Sequence, residues 1–165
     1  MALFFAPDIE TTWELPEEEA AHCLRVLRLG VGDDLEVTDG KGKIFRVTIT
    51  STAGKRCRVE AVEVREVEKG WNGNLTIAIA PTKNMDRLEW FFEKAAEIGI
   101  DEISPLYCRY SERKNLKTDR LHRILVSAMK QSIQPTLTVL NEPAPFKEWI
   151  KNNNSQELFG EGEVK

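Results

Sequence analysis

His22, Arg25 and Arg28 recur at every third position. On an α-helix that spacing sets them along one arc of about 120°. Such a row can follow a phosphate backbone, since guanidinium groups offer paired hydrogen bonds to phosphate oxygens. From spacing alone the plainer reading is a solvated face answering Glu17, Glu18 and Glu19. A second group, Ser111-Glu112-Arg113-Lys114, follows what reads as the second strand of an α/β pattern. Ligands of open α/β sheets bind outside that carboxyl edge. Arg113 is therefore placed to neutralise a phosphate or charge developing on a substrate, and the plainer alternative is an ion pair with Glu112. Lys94 and Glu97 are spaced for a weak surface salt bridge. A buried Glu97 would instead anchor a loop or position a base. Gln131, near a helix end, can hydrogen-bond a nucleobase edge or serve as an ordinary polar residue. His122 can meet phosphate or solvent. Gly40-Lys41-Gly42-Lys43 is not a phosphate loop, because a strand rather than a helix follows it.

Other chemistries lose support. No Ser/His/Asp set, HExxH, metal-ligand cluster or dinucleotide fingerprint is present in the 165 residues. Cys23, Cys57 and Cys108 are far apart and odd in number, which suggests neither a disulfide framework nor a metal knuckle. A reduced, cytoplasmic protein is expected. No apolar run reaches the roughly 18 residues of a membrane span, and the first residues have no basic start of a signal peptide. The formal net charge of -4 argues against indiscriminate nucleic-acid binding, but its distribution is uneven. Residues 1–20 hold six acids and no base, whereas residues 107–130, which include Lys114, Arg120 and Lys130, hold seven bases against two acids. A basic segment in an acidic chain suits either a targeted anion site or a solvated helix.

The elements that would position these residues fall into two groups. The first, over residues 1–70, opens with a helix from Pro16 to about Leu29 that Gly30 ends. Alternating apolar residues then predict strands over 34–38, 43–51 and 56–67, with turns at Asp39-Gly40 and Ala53-Gly54 and a bulge at Ala61-Val62. A helix with short antiparallel strands suggests a small, partly closed barrel. The turn-rich stretch Lys69-Gly70-Trp71-Asn72-Gly73 links it to a second group over 74–165. There the apolar run 75–80 reads as a strand covered on both faces. A helix over 86–98 is capped by Asp86, with Leu88, Phe91, Phe92, Ala95 and Ile98 inside and Gly99 closing it. A strand over 102–107, a helix from a Thr118 cap to about Ser132, a strand over 136–140 and a short helix over 146–150 follow. This order points to a parallel sheet with crossover helices.

Five blocks together resemble one family, the RsmE-type 16S rRNA uridine-N3 methyltransferases of the knotted SPOUT superfamily. They are His22-Cys23-Leu24-Arg25-Val26-Leu27-Arg28 with Gly32-Asp33, then Asp39-Gly40-Lys41-Gly42, then Lys94-Ala95-Ala96-Glu97-Ile98-Gly99-Ile100 with Pro105-Leu106, then Ser111-Glu112-Arg113, and last Ala128-Met129-Lys130-Gln131-Ser132. The sequence departs from the family pattern at Leu3, where a basic residue usually precedes the aromatic pair, and at Ile133-Gln134-Pro135, where another usually stands.

The resemblance implies an N-terminal PUA-like β-barrel that binds RNA and a C-terminal parallel α/β domain with a trefoil knot. It implies S-adenosylmethionine as cofactor, a homodimer, and methylation of a uridine N3 in 16S rRNA of the assembled small ribosomal subunit; no metal is expected, since no metal-ligand cluster is present. On this reading Arg113, Glu97 and Gln131 are the candidate catalytic residues, and His22, Arg25, Arg28, Lys114 and Arg120 the candidate RNA contacts. The family's Gly-Pro-Glu-Gly-Gly loop and Leu-Arg-x-Glu-Thr-Ala segment have no match before Lys165. The cofactor-binding residues are therefore expected in sequence not present here, and these 165 residues are expected to be inactive alone. The competing expectation is an RNA-binding or ribosome-associated module without catalysis.

Overall fold

A computed structural model describes residues 1–109 and 116–153. The alternating residues of β2 (Asp34–Thr38), β3 (Lys43–Ser51) and β4 (Arg58–Glu66) form an antiparallel meander. Leu35, Val37, Phe45, Val47 and Ile49 turn to one buried face, as period-two patterning requires. Arg46 opposes Glu63 and Val47 opposes Ala61, which leaves Val62 as the extra residue of the expected bulge. A short strand absent from the sequence reading, β1 (Leu3–Phe5), adds to the meander parallel to β2. The chain then makes one helical turn, α1 (Ile9–Thr12). Residues 13–15 pair with the start of β4, the Leu15 N–H donating to the Cys57 carbonyl at 2.9 Å and the Val59 N–H to the Trp13 carbonyl at 2.9 Å. One N-terminal stretch thereby lines both flanks of the sheet and curls it over its core.

The expected 16–29 helix is shorter and differently wound. α2 (Glu17–Ala21) passes into a π-helical turn over His22–Val26, where the Leu27 N–H reaches the His22 carbonyl at 3.0 Å. Arg28 ends it in the left-handed region at φ 55°. The wide turn turns Cys23 fully inward and packs Leu24 and Leu29 on the same core. The Cys23 and Cys57 thiols meet there, and burial pushes Cys57 up to about 12. Both are therefore inert thiols rather than nucleophiles.

The second sheet is parallel. β5 (Thr76–Ile79) pairs with β6 (Glu102–Tyr107), which pairs with β7 (Val139–Leu140) at one end and β8 (Ala144–Pro145) at the other. β5 is half-buried rather than covered on both faces, because it lies at the sheet edge. α3 (Met85–Ile98) and α4 (Thr118–Gln131) pack together over Ile103 through Leu88, Phe92, Leu121 and Leu125, and α5 (Phe146–Asn152) follows β8. The cap of α3 is Asn84, whose side chain accepts from the Asp86 and Arg87 N–H groups, so Asp86 sits inside the first turn. Ile98 is 63% exposed and does not join the buried stripe. Thr118 is the first residue of α4 and makes no side-chain cap. The third strand begins later than expected because residues 136 and 137 pair with the Asp39-Gly40-Lys41 turn instead.

Asp101, buried at the start of β6, fastens the link between the sheets. Its carboxylate accepts from the Leu75 N–H at 2.8 Å, Lys69 Nζ at 2.9 Å and Trp71 Nε1 at 3.0 Å. Burial opposes its ionisation, yet these three donors outweigh burial and hold the carboxyl below its usual range. A lowered folded-state value contributes stability that is present above the unfolded value, about 3.9, and is lost as pH falls through the folded one. Asp101→Asn is expected to cost about 1–3 kcal/mol at pH 7. Urea unfolding from pH 7 to 3 should show the parent losing this increment at the acid end while the variant shows a flatter profile. Equal profiles would remove Asp101 from the stability of the link.

Candidate nucleic-acid interface and family

The π-turn presents Arg25 and Arg28 to solvent, and neither forms an ion pair among the described residues. Val26, Leu27 and Val31 are also exposed beside them. The single helical arc is not what holds the row together. His22 opens the π-turn, Arg25 lies within it, and Arg28 stands beyond it in a left-handed conformation. His22 is exposed, with its ring 6.0 Å from that of Phe4. Cations flanked by exposed apolar side chains can meet phosphates and the faces of unstacked bases together.

The α/β unit treats its candidates differently. Arg120 is held on the surface by a two-pronged ion pair with Glu89, and the Arg120 hydrogen bonds keep the Glu89 carboxyl below its usual range. Glu97 is partly exposed and pairs with Lys94 at 3.0 Å, and its backbone carbonyl accepts from Gln134 Nε2 at 2.9 Å. Gln131 is exposed and lines a shallow depression of about 160 Å³ between α3 and α4 with Glu93, Ile124 and Ser127. Glu97 is not among the residues of that depression. His122 and Arg123 face solvent. Arg113 and Lys114, with Ser111 and Glu112, lie outside the described residues. Lys130 turns away from solvent to the other sheet, 2.6 Å from Glu19 and 5.9 Å above the Phe4 ring. Sequence reasoning placed Glu19 only at a helix start and missed this contact, for which the sequence holds no local signal.

A larger depression, about 340 Å³, is lined by Val67, Lys69, Trp71, Ile98, Asp101 and Pro135 among others. It lies at the amino ends of β5 and β6, opposite the edge where open α/β sheets hold ligands. Its size is at the lower end of ligand sites, and Lys69 and Trp71 already bond Asp101. Neither of these two depressions by itself encloses a nucleoside-bearing cofactor such as S-adenosylmethionine. Among the described residues no group of three or more His, Cys, Asp or Glu side chains could hold a metal, and no helix is long and apolar enough to cross a membrane.

A family model described as an RNA methyltransferase domain matches residues 69–160, and one described as an RNA methyltransferase PUA domain matches residues 15–62. The chain belongs to this RNA methyltransferase family. It is 27% identical over 148 residues to the ribosomal RNA small subunit methyltransferase E of Rickettsia conorii, a match covering 88% of this chain and 59% of that protein. A probable rRNA-methyltransferase from Porphyromonas gingivalis, solved by crystallography, superposes with a TM-score of 0.83 at 44% identity, over 91% of this chain and 63% of that one. The ribosomal RNA small subunit methyltransferase E of Neisseria gonorrhoeae, solved bound to S-adenosyl methionine, shares the fold at a TM-score of 0.72 and 24% identity, over 91% of this chain and 64% of that one. The chain thus spans about three-fifths of the length of these relatives.

The exposed arginines give a direct test. Arg25→Ala with Arg28→Ala should weaken binding of in vitro transcribed 16S rRNA several-fold at low salt and lower the slope of log affinity against log salt by about 1–2. Unchanged affinity and slope would return both residues to a solvated face.

Proposed function

We propose that this chain is the RNA-holding unit and first catalytic portion of an S-adenosylmethionine-dependent methyltransferase acting on N3 of a uridine in 16S rRNA of the assembled small subunit. The observation that carries this reading is the pairing of a PUA-type sheet bearing unneutralised Arg25 and Arg28 with a parallel α/β unit matched by an RNA methyltransferase family. The division falls between residues 1–70, a PUA-like barrel, and 74–165, the opening part of a knotted domain. The barrel reading is supported by the way residues 13–15 close on β4. A homodimer working in the cytoplasm completes the proposal.

The target atom sets what the chain must do. N3 of uracil carries a weakly acidic proton, and its loss leaves negative charge shared by the flanking carbonyl oxygens. A nearby cation favours that ionisation, and a held base orientation favours attack. Arg113 is the cation assigned to this charge. Gln131, exposed at the end of α4, is assigned to a base edge. Glu97 stays a candidate at the end of α3, where its carboxylate would have to leave or share Lys94. Arg25, Arg28 and His22 hold RNA on the first unit, with Lys114 and Arg120 on the second. Arg120 would have to leave Glu89 or share it.

Methyl incorporation into small subunits that lack the modification tests the reading. The 165-residue chain alone should show none, and a protein of the relatives' full length carrying this sequence should methylate one uridine at N3. Incorporation by the 165 residues would overturn their incompleteness. RNA binding without incorporation by the longer protein would favour a non-catalytic ribosome-associated module.

A further inference from the structure

One of the sequence blocks that carry the family resemblance, Asp39-Gly40-Lys41-Gly42, and Lys130 of another meet the opposite unit rather than a ligand site. We propose that the 39–43 turn and Lys130 are positioning groups that hold the two units at one fixed angle, so that RNA held by the first is presented to the second in a single register. The proposal rests on the functional reading above for its RNA consequence but not for its mechanics.

The first attachment is a backbone dock. The Pro135 carbonyl accepts from the buried Thr38 hydroxyl at 2.8 Å and from the Gly42 N–H at 3.0 Å, so the first unit occupies both acceptor sites of that oxygen. The Leu137 N–H donates to the Gly40 carbonyl at 2.8 Å, and Lys41 bridges Thr136 in antiparallel fashion. The turn is preformed for this. Asp39 Oδ1 accepts from the Lys41 N–H at 2.8 Å and the Lys43 N–H at 3.1 Å. Gly40 has φ +74°, and a Cβ there would lie 2.8 Å from the Phe5 ring and 3.2 Å from Leu137. A side chain here would collide with Phe5 of its own unit and press on Leu137 of the other.

The second attachment is charged and largely shielded. Lys130 Nζ lies 2.6 Å from Glu19 Oε1 and over the Phe4 ring, while Glu19 Oε2 accepts from the Phe5 N–H at 3.2 Å. Phe4 and Phe5 are consecutive in β1, so their side chains leave opposite faces of the strand. The charged attachment sits on β1 and the backbone dock on the turn that follows β2, so the units are held at two separate places and rotation about either is opposed by the other. A joint built only on the 67–75 link would leave that rotation free.

The test uses Thr38→Val with Lys130→Met in the 165-residue chain. In the parent, backbone ¹⁵N relaxation should give both units one rotational correlation time. In the double variant the two times should separate by about a quarter or more, with circular dichroism unchanged. Affinity for in vitro transcribed 16S rRNA should fall on the order of tenfold as preorganisation is lost. Thr38→Val with Lys130→Arg should recover most of it. If the double variant does not fold, Thr38→Val alone should speed hydrogen exchange of the Gly42 and Leu137 amides at least tenfold, with strand amides in both sheets unchanged. Separate tumbling in the parent, joint tumbling in the double variant, or unmoved exchange in the single variant would each overturn the joint. Decoupling without any rRNA binding by the parent would leave the joint standing and overturn the RNA reading.

Discussion

A single buried carboxylate organises the middle of this molecule. Asp101 immediately precedes the central strand of the parallel sheet, and its two oxygens collect the backbone amide just before β5 and two side chains of the link. An ionised group at 8% exposure survives only when its acceptor sites are filled. The need to fill them fixes where the link turns and where the neighbouring strand starts. The register of β5 against β6, and through α3 the position of the Lys94–Glu97 end, follow from that.

Each unit keeps its own core, one under the curled sheet and one between the α3–α4 pair and the parallel sheet. Polar contacts join them, a form suited to a joint whose halves must each fold first. Apart from Lys130–Glu19, most ion pairs stay within one unit. Glu14 takes Arg56 and Arg58, Glu36 takes Arg65, Glu10 takes Lys43 and Glu89 takes Arg120. Glu10 and Glu14 of the acid-rich opening thus neutralise cations of their own sheet, while Arg25 and Arg28 are among the exposed cations that no described acid pairs. A net charge of -4 is then compatible with a local cationic face.

Much of this was legible in the sequence where one local rule decided the outcome. Alternation gave β2, β3 and the bulge at Val62, while Gly99 at φ 88° gave the stop of α3. The misses came where distant partners decided. β1 is three residues long and owes its form to pairing with β2. Residues 136 and 137 carry a strand-like pattern but pair with a turn nearly a hundred positions earlier. Asn84 outcompeted Asp86 as cap because the helix began one residue sooner, a shift that propensity does not resolve. The candidate site was legible only as residue types. That Lys130 faces inward while Arg25 and Arg28 face outward is a property of packing, not of spacing.

The π-turn at His22–Val26 ties the directions of the side chains beyond it to the length of the segment. A π-turn carries one residue more than the α-helix it interrupts. That surplus residue is accommodated without exposing Cys23. Removing one residue here would rewind the segment to ordinary pitch, rotating every side chain beyond it by about 100°. The rim of the first unit can thus change which residues it shows to its surroundings by a change in length, while the core beneath keeps its sequence.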